Sequence, residues 1–100
     1  DQCRLRIMDF EWNPQKAARN VQKHRVSFPE AATVFDDPLS STVPDPDHSI
    51  DEDRLIIVGT SHQGRLLIVS FAERGDRLRI ISARELTRIE QQAYEEGRYD

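Results

Sequence analysis

A single cysteine, Cys3, stands in a chain of 100 residues, so the sequence can close no internal disulfide and offers no cysteine-rich metal site. No apolar run approaches the roughly 20 residues a helix needs to cross a bilayer. The opening stretch, Asp1 to Ile7, alternates charge and hydrophobe instead of following a signal-peptide pattern. These absences lead us to expect a cytoplasmic protein. The four glycines are not gathered into a phosphate-cradling loop, and there is no nucleophile elbow. Internal repeats and low-complexity tracts are missing too. Nor is there an excess of positive charge: the formal net charge is −4, which argues against a bulk cationic nucleic-acid binder. The length suits one domain with a modest core, expected to span 1–100.

What charge there is comes in blocks. Residues 1–35 carry six basic and four acidic side chains, 36–53 carry seven acidic and no basic ones, and 54–88 carry seven arginines against three acids. A basic segment beside acidic ones permits a local anionic ligand on a protein that is not adhesive everywhere. The arginines border dense apolar runs: Arg54-Leu55-Ile56-Ile57-Val58, Arg65-Leu66-Leu67-Ile68-Val69, and Arg77-Leu78-Arg79-Ile80-Ile81 continuing to Ser82-Ala83-Arg84. Such runs suit strands buried on both faces. Their connections, Ser61-His62-Gln63-Gly64 and Glu73-Arg74-Gly75-Asp76, place glycine as short hairpins do. Residues 54–61, 65–73 and 77–83 are therefore predicted to form a meander.

Upstream, Asp9 to Trp12 reads as a short strand, while Leu5 and Ile7 suit an edge strand unless Met8 is a translation start. Asn13 is a good N-cap and Pro14 fits a first helical turn, so a helix is predicted to Lys23 or His24. Ala17, Ala18 and Val21 share one of its faces, and Lys16, Asn20 and Lys23 a polar stripe. Ser27-Phe28-Pro29-Glu30 reads as a capping box, with Val26 and Ala31 placed as its hydrophobic staple. That second helix should end near Phe35, before Asp36-Asp37-Pro38. His24 and Arg25 fall in the bend between the helices, where a left-handed residue would cost Arg25 roughly 1 kcal/mol relative to glycine. A short strand is expected over 39–43, then an acidic loop to Asp53. Thr87-Arg88-Ile89-Glu90 is a second capping box, opening a helix with a thin apolar face. The order β-α-α-β-β-β-β-α predicts an α+β fold: a mostly antiparallel sheet, two N-terminal helices packed on it and a C-terminal helix.

Several residues carry candidate chemistry. An imidazole at His24 can take a proton from a ribose 2′-hydroxyl, although spacing alone is better explained by a histidine capping helix carbonyls. Arg54, Arg65, Arg79 and Arg84 can clamp a phosphate and stabilise a phosphorane. They serve equally well as partners for the acidic loop. That loop fails as an EF-hand because Ile50 occupies the glycine position. His48 and His62 have no ligand-type spacing, and Phe10 and Trp12 suit the core better than base stacking. No basic recognition helix is visible.

The joint pattern is more specific than any one piece. Phe10-Glu11-Trp12-Asn13-Pro14, Lys16, Asn20, Lys23-His24, Val26-Ser27-Phe28 and Ala31 resemble the opening of BrnT-type toxins. Phe35-Asp36-Asp37-Pro38, His48, Glu52, Arg54, Gly59, Gly64-Arg65, Arg79 to Arg84, Thr87, Glu90 and Tyr94 continue the resemblance over residues 9–96. It implies a RelE-like fold and metal-independent, cofactor-free RNA cleavage that blocks translation. It also implies neutralisation by a BrnA-type antitoxin whose DNA-binding domain brings the complex to its own operator. On this resemblance His24, Lys23, Arg65 and Arg84 would be catalytic, and Lys16, Arg54 and Arg79 would hold the RNA backbone. Arg25 departs from the family's usual glycine and Asn13 from its aspartate. The alternative is a non-catalytic module, or co-repressor, whose basic sheet receives an acidic partner protein.

Overall fold

The computed structural model describes residues 9–45 and 54–97. The elements follow the predicted order: β1 (Asp9–Glu11), α1 (Pro14–His24), α2 (Phe28–Thr33) running into a 3-10 turn (Val34–Asp36), β2 (Ser41–Pro44), β3 (Arg54–Thr60), β4 (Leu66–Arg74), β5 (Arg77–Glu85) and α3 (Arg88–Gly97). Among the described residues five strands make one sheet, ordered β1-β5-β4-β3-β2. Strands β2 to β5 pair antiparallel, and β1 alone lies parallel to its neighbour, Asp9 opposite Arg77 and Glu11 opposite Arg79. The fold is α+β, as expected. Cys3, the Leu5–Ile7 strand, Met8, His48 and most of the acidic loop lie outside the described residues.

Local chemistry explains where the helices begin and end. Asn13 Oδ1 accepts the N–H groups of Gln15 at 2.8 Å and Lys16 at 3.1 Å, and Pro14 opens α1. The helix stops at Arg25, which is left-handed with φ 60° and ψ 30°, its N–H bonded to the Val21 carbonyl. Ser27 Oγ caps α2 by accepting the Glu30 N–H at 3.2 Å. The reciprocal half of that box does not form. The Glu30 carboxylate turns instead toward Ser61 and Arg65, because a cationic partner offers a charge-assisted bond that a backbone N–H cannot match. After the 3-10 turn, the Asp37 carboxylate accepts from Leu39 N at 2.9 Å and Thr60 N at 2.8 Å. This close approach needs Gly59, since a Cβ there would sit 2.9 Å from both Asp37 Oδ2 and Ser40 Cβ.

Helices α1 and α2 cover one face of the sheet. Val26, Phe28, Ala31 and Val34 pack there against Ile57, Leu67, Val69, Phe71, Ile80 and Ala83. Phe10 packs tilted against Phe35 at 5.1 Å between ring centres, Phe35 edge-on against Phe71 at 4.9 Å, and Trp12 edge-on against Phe28 at 5.9 Å. These rings therefore serve the core. The strands are not buried on both faces as their composition suggested: Ile56, Val58, Ile68 and Ile81 on the other face are only half-buried. An antiparallel sheet needs only one covered face, and among the described residues no second helical layer closes the other. Helix α3 buries none of its residues, and Ile89 is 79% exposed. It is held near its ends, by Glu90 on Arg84 and by the Tyr94 hydroxyl donating to the Leu39 carbonyl at 2.7 Å.

Candidate active site

The open face of the sheet is concave where β3, β4 and the end of β5 meet. A cavity of about 340 Å³ lies there. His24, Asp45, Arg54, Ser70, Ser82 and Arg84 supply its polar lining, and Ile56, Ile68, Ile81 and Ala83 its apolar lining. Two features of β5 shape it. Ser70 pairs with Ser82 and Phe71 with Ile80, so Ile81 is an extra residue opposite no partner. Such a bulge bends the strand and re-aims the side chains beyond it.

The second feature is the strand's free edge. The register of β1 ends with Glu11 opposite Arg79, leaving the later backbone of β5 to be satisfied by something else. Asn20 does this from α1. Its Nδ2 donates to the Ala83 carbonyl at 2.8 Å and the Val26 carbonyl at 2.9 Å, and its Oδ1 accepts the Ala83 N–H at 3.2 Å. At 6% exposure, Asn20 is a buried clamp rather than a member of a solvated stripe. One helical turn later the chain reaches His24, which the clamp sets beside Ile81 and Ser82.

Arg84 approaches from the strand end. Its Nη1 donates to Glu90 Oε1 at 2.8 Å and to the Glu85 carbonyl at 3.2 Å, and its Nη2 donates to Glu90 Oε2 at 2.9 Å. Glu90 also completes the Thr87 capping box, accepting Thr87 N–H at 2.9 Å and donating its own N–H to Thr87 Oγ1 at 3.2 Å. The Arg84 bonds, helped by the Thr87 N–H, hold the Glu90 carboxyl down at about 2, and the same carboxylate raises Arg84 above its ordinary value. Arg54, first in β3, forms another wall of the cavity. A second cavity of about 210 Å³, lined by Lys16, Arg19, Asn20 and Lys23, shares His24, Ile81 and Ser82 with the first.

Two of the residues expected at the site line neither cavity. Arg65 Nε donates to Glu30 Oε2 at 3.0 Å, its Nη1 to Glu85 Oε2 at 3.0 Å, and its Nη2 to the Arg25 carbonyl at 2.9 Å and to Glu30 Oε1. Ser61 Oγ adds a bond to Glu30 Oε2 at 2.7 Å. Chiefly through Arg65, against the opposing effect of burial, the Glu30 carboxyl is held below its usual range. Arg79 donates to Glu11 at 3.1 Å, with Arg77 3.7 Å from the same carboxylate. Arg65, Arg79 and Arg84 thus carry acidic partners, but from β1, α2, α3 and the end of β5 rather than from the acidic loop.

Sequence reasoning passed over Ser70 and Ser82, whose hydroxyls interrupt apolar runs and stand opposite each other in register. It also passed over Arg19 and the reach of Glu90. His62 pairs with Asp36 at 3.5 Å on the surface. Among the described residues no three His, Cys, Asp or Glu side chains gather as a metal site, and no helix is long and apolar enough to cross a membrane.

Residues 12–90 match the family model described as ribonuclease toxin, BrnT, of type II toxin-antitoxin system. The fold is similar to the crystal structure of the Brucella abortus ribonuclease toxin, BrnT, with a TM-score of 0.65 and 23% sequence identity, over 81% of this chain and 99% of that one. At that identity the likeness speaks for the fold. No curated protein matches the chain.

Proposed function

The chain belongs to the BrnT family of ribonuclease toxins of type II toxin–antitoxin systems, and from that premise we propose that it is an endoribonuclease that needs no metal, acting in the cavity that His24 and Arg84 both line. The observation that supports this reading is the convergence itself. His24 ends α1, Arg54 opens β3 and Arg84 lies near the end of β5, yet all three line one cavity of about 340 Å³. RNA brings its own nucleophile, so the protein need supply only proton transfer and charge stabilisation.

In the proposed reaction His24 takes the proton of a ribose 2′-hydroxyl. The 2′-oxygen forms a bond to the adjacent phosphorus as the bond from phosphorus to the 5′-oxygen breaks. The leaving 5′-oxygen takes a proton from solvent water. The products are a 2′,3′-cyclic phosphate and a 5′-hydroxyl. Arg84 meets the added charge on the phosphorane, and Arg54 contacts the same phosphate from β3, two strands away. Lys23, lining the neighbouring cavity beside His24, favours the anionic transition state. Lys16 holds the backbone beyond it. Arg65 and Arg79 act through the ion pairs that brace the frame, not on the substrate.

A type II system includes a protein antitoxin. We assign this one to the BrnA type, masking the cationic cavity in the cytoplasm and carrying the complex to operator DNA through its own DNA-binding domain. The test uses purified, antitoxin-free protein with RNA in excess chelator. Cleavage leaving 2′,3′-cyclic phosphate ends is expected, and His24→Ala or Arg84→Ala should lower its rate on the order of 100-fold or more. Cleavage only after metal is restored, or both variants matching the wild type, would contradict the proposal.

A further inference from the structure

We propose that the second cavity is a subsite for single-stranded RNA. It would hold the phosphates next to the one cut, through Lys16, Arg19 and Lys23. The proposal rests on the ribonuclease reading above and extends it to the shape of the substrate.

Three observations carry it. First, the two cavities are contiguous: His24, Ile81 and Ser82 line both. A strand whose scissile linkage lies at His24 must send its next nucleotide somewhere, and the second cavity opens along α1. Second, the cations there are unspent. Arg65, Arg77, Arg79 and Arg84 each have a carboxylate. Among the described residues Lys16, Arg19 and Lys23 have none, and no acid lines their cavity. In a chain of net charge −4, three exposed, unneutralised cations on one helix face mark where an external anion is least opposed. Third, the face is rigid. Asn20, in the middle of the three, is buried and bonded to Val26 and Ala83, so the cations are displayed from a helix fixed to the sheet edge.

The dimensions suit a short stretch of backbone. Lys16 and Lys23 stand seven positions apart, about 10 Å along the helix axis at 1.5 Å per residue. A stacked strand carries one phosphate per roughly 3.4 Å, so the row spans more than one. The preference for a single strand follows from the chemistry next door, since in-line attack needs a linkage free to leave a stacked helix. Specificity for a base is not implied: lysine and arginine heads on a backbone position the strand without reading it.

The experiment measures binding of a 2′-O-methyl oligonucleotide, which lacks the nucleophile and is not cut, across a range of salt concentrations. Wild type is compared with the Lys16→Gln/Arg19→Gln double variant and with Arg74→Gln, which removes a hairpin charge outside both cavities. Thermal melts monitor folding, and glutamine keeps helix propensity high. For single strands each phosphate contact contributes about 0.7 to the slope of log affinity against log salt. The double variant should therefore lose about 1.4 of slope, and Arg74→Gln should lose none. A double variant with the slope of Arg74→Gln, no binding by the wild type, or equal binding of poly-glutamate would overturn the subsite, the last assigning this face to a protein partner. The readout is independent of bond breaking. A slope lost as expected by a protein that cuts no RNA would keep the subsite and remove the ribonuclease; cleavage with unchanged slope would do the reverse.

Discussion

Arg84 and Glu90 meet as a two-pronged pair, Nη1 to Oε1 at 2.8 Å and Nη2 to Oε2 at 2.9 Å. A guanidinium has five N–H groups in a fixed plane. This pair takes the end-on edge, the Glu85 carbonyl takes a further Nη1 hydrogen, and the edge formed by Nε and the outer Nη2 hydrogen is left over. The carboxylate thus joins α3 to β5 and decides which edge of the Arg84 guanidinium is left over.

Removing that carboxylate should matter more to rate than to stability. Both side chains are about two-fifths exposed, at 39% and 40%, and solvent screening limits such pairs to about 1 kcal/mol or less. Glu90→Ala should stay folded and lower kcat by roughly 10- to 100-fold through misplacement of Arg84, with a smaller change in KM. Steady-state kinetics check this, and an unchanged kcat would remove the positioning role.

The same pair sets an acid dependence. Glu90 is held at about 2, below the ordinary carboxylate value of about 4.3. A depressed carboxyl stabilises the fold above its unfolded value and loses that contribution as pH falls through its folded value. Docking of α3 should therefore persist at pH 4 and weaken as pH falls toward 2. Carbon-detected NMR of the Glu90 carboxyl should titrate near 2, and a midpoint near 4.3 would show that the pair does not persist in solution.

Arg65 answers to a different measurement. The Glu30 side chain is 4% exposed, and Arg65→Ala would leave its charge buried without a cation, a loss on the order of 3 kcal/mol. For a domain of this size the melting temperature should fall by about 12 to 24 °C. Adding Glu30→Gln should recover part of that loss, because no buried charge is then stranded. A variant that melts like wild type but fails to cut RNA would return Arg65 to the catalytic site.

Arg25 sits at φ 60°, a conformation that glycine adopts without a Cβ penalty. Arg25→Gly keeps the backbone carbonyl that Arg65 uses and should stabilise the protein by about 1 kcal/mol. A lower melting temperature would mean the arginine side chain does more for the bend than its strain costs.

These residues also mark what could be read from sequence. Caps, hairpin glycines and apolar runs are local signals, so Asn13, Ser27, Gly64 and Gly75 gave the element order nearly to the residue. Ion-pair partners are not local. Glu11 meets Arg79 and Glu30 meets Arg65 across long stretches of chain, and no spacing rule connects them. The strand predicted over 77–83 runs on to Glu85 and takes in Arg84; the extra residue Ile81, which no local signal marks, puts Arg79 and Arg84 on the same face, opposite Ala72 and Ile68 of β4. Asn20 fitted a polar stripe by position, and only the free edge of β5 revealed why it is buried.

The central claim is that His24 and Arg84 work on one phosphodiester, and a double-mutant cycle on RNA cleavage tests it most directly. His24→Ala and Arg84→Ala should each lower kcat/KM at least about 100-fold, and the double variant should fall no more than about 10-fold below the weaker single, as groups acting as a unit do. Losses that multiply in full, or a single variant as active as wild type, would mean that the two side chains do not serve a common reaction.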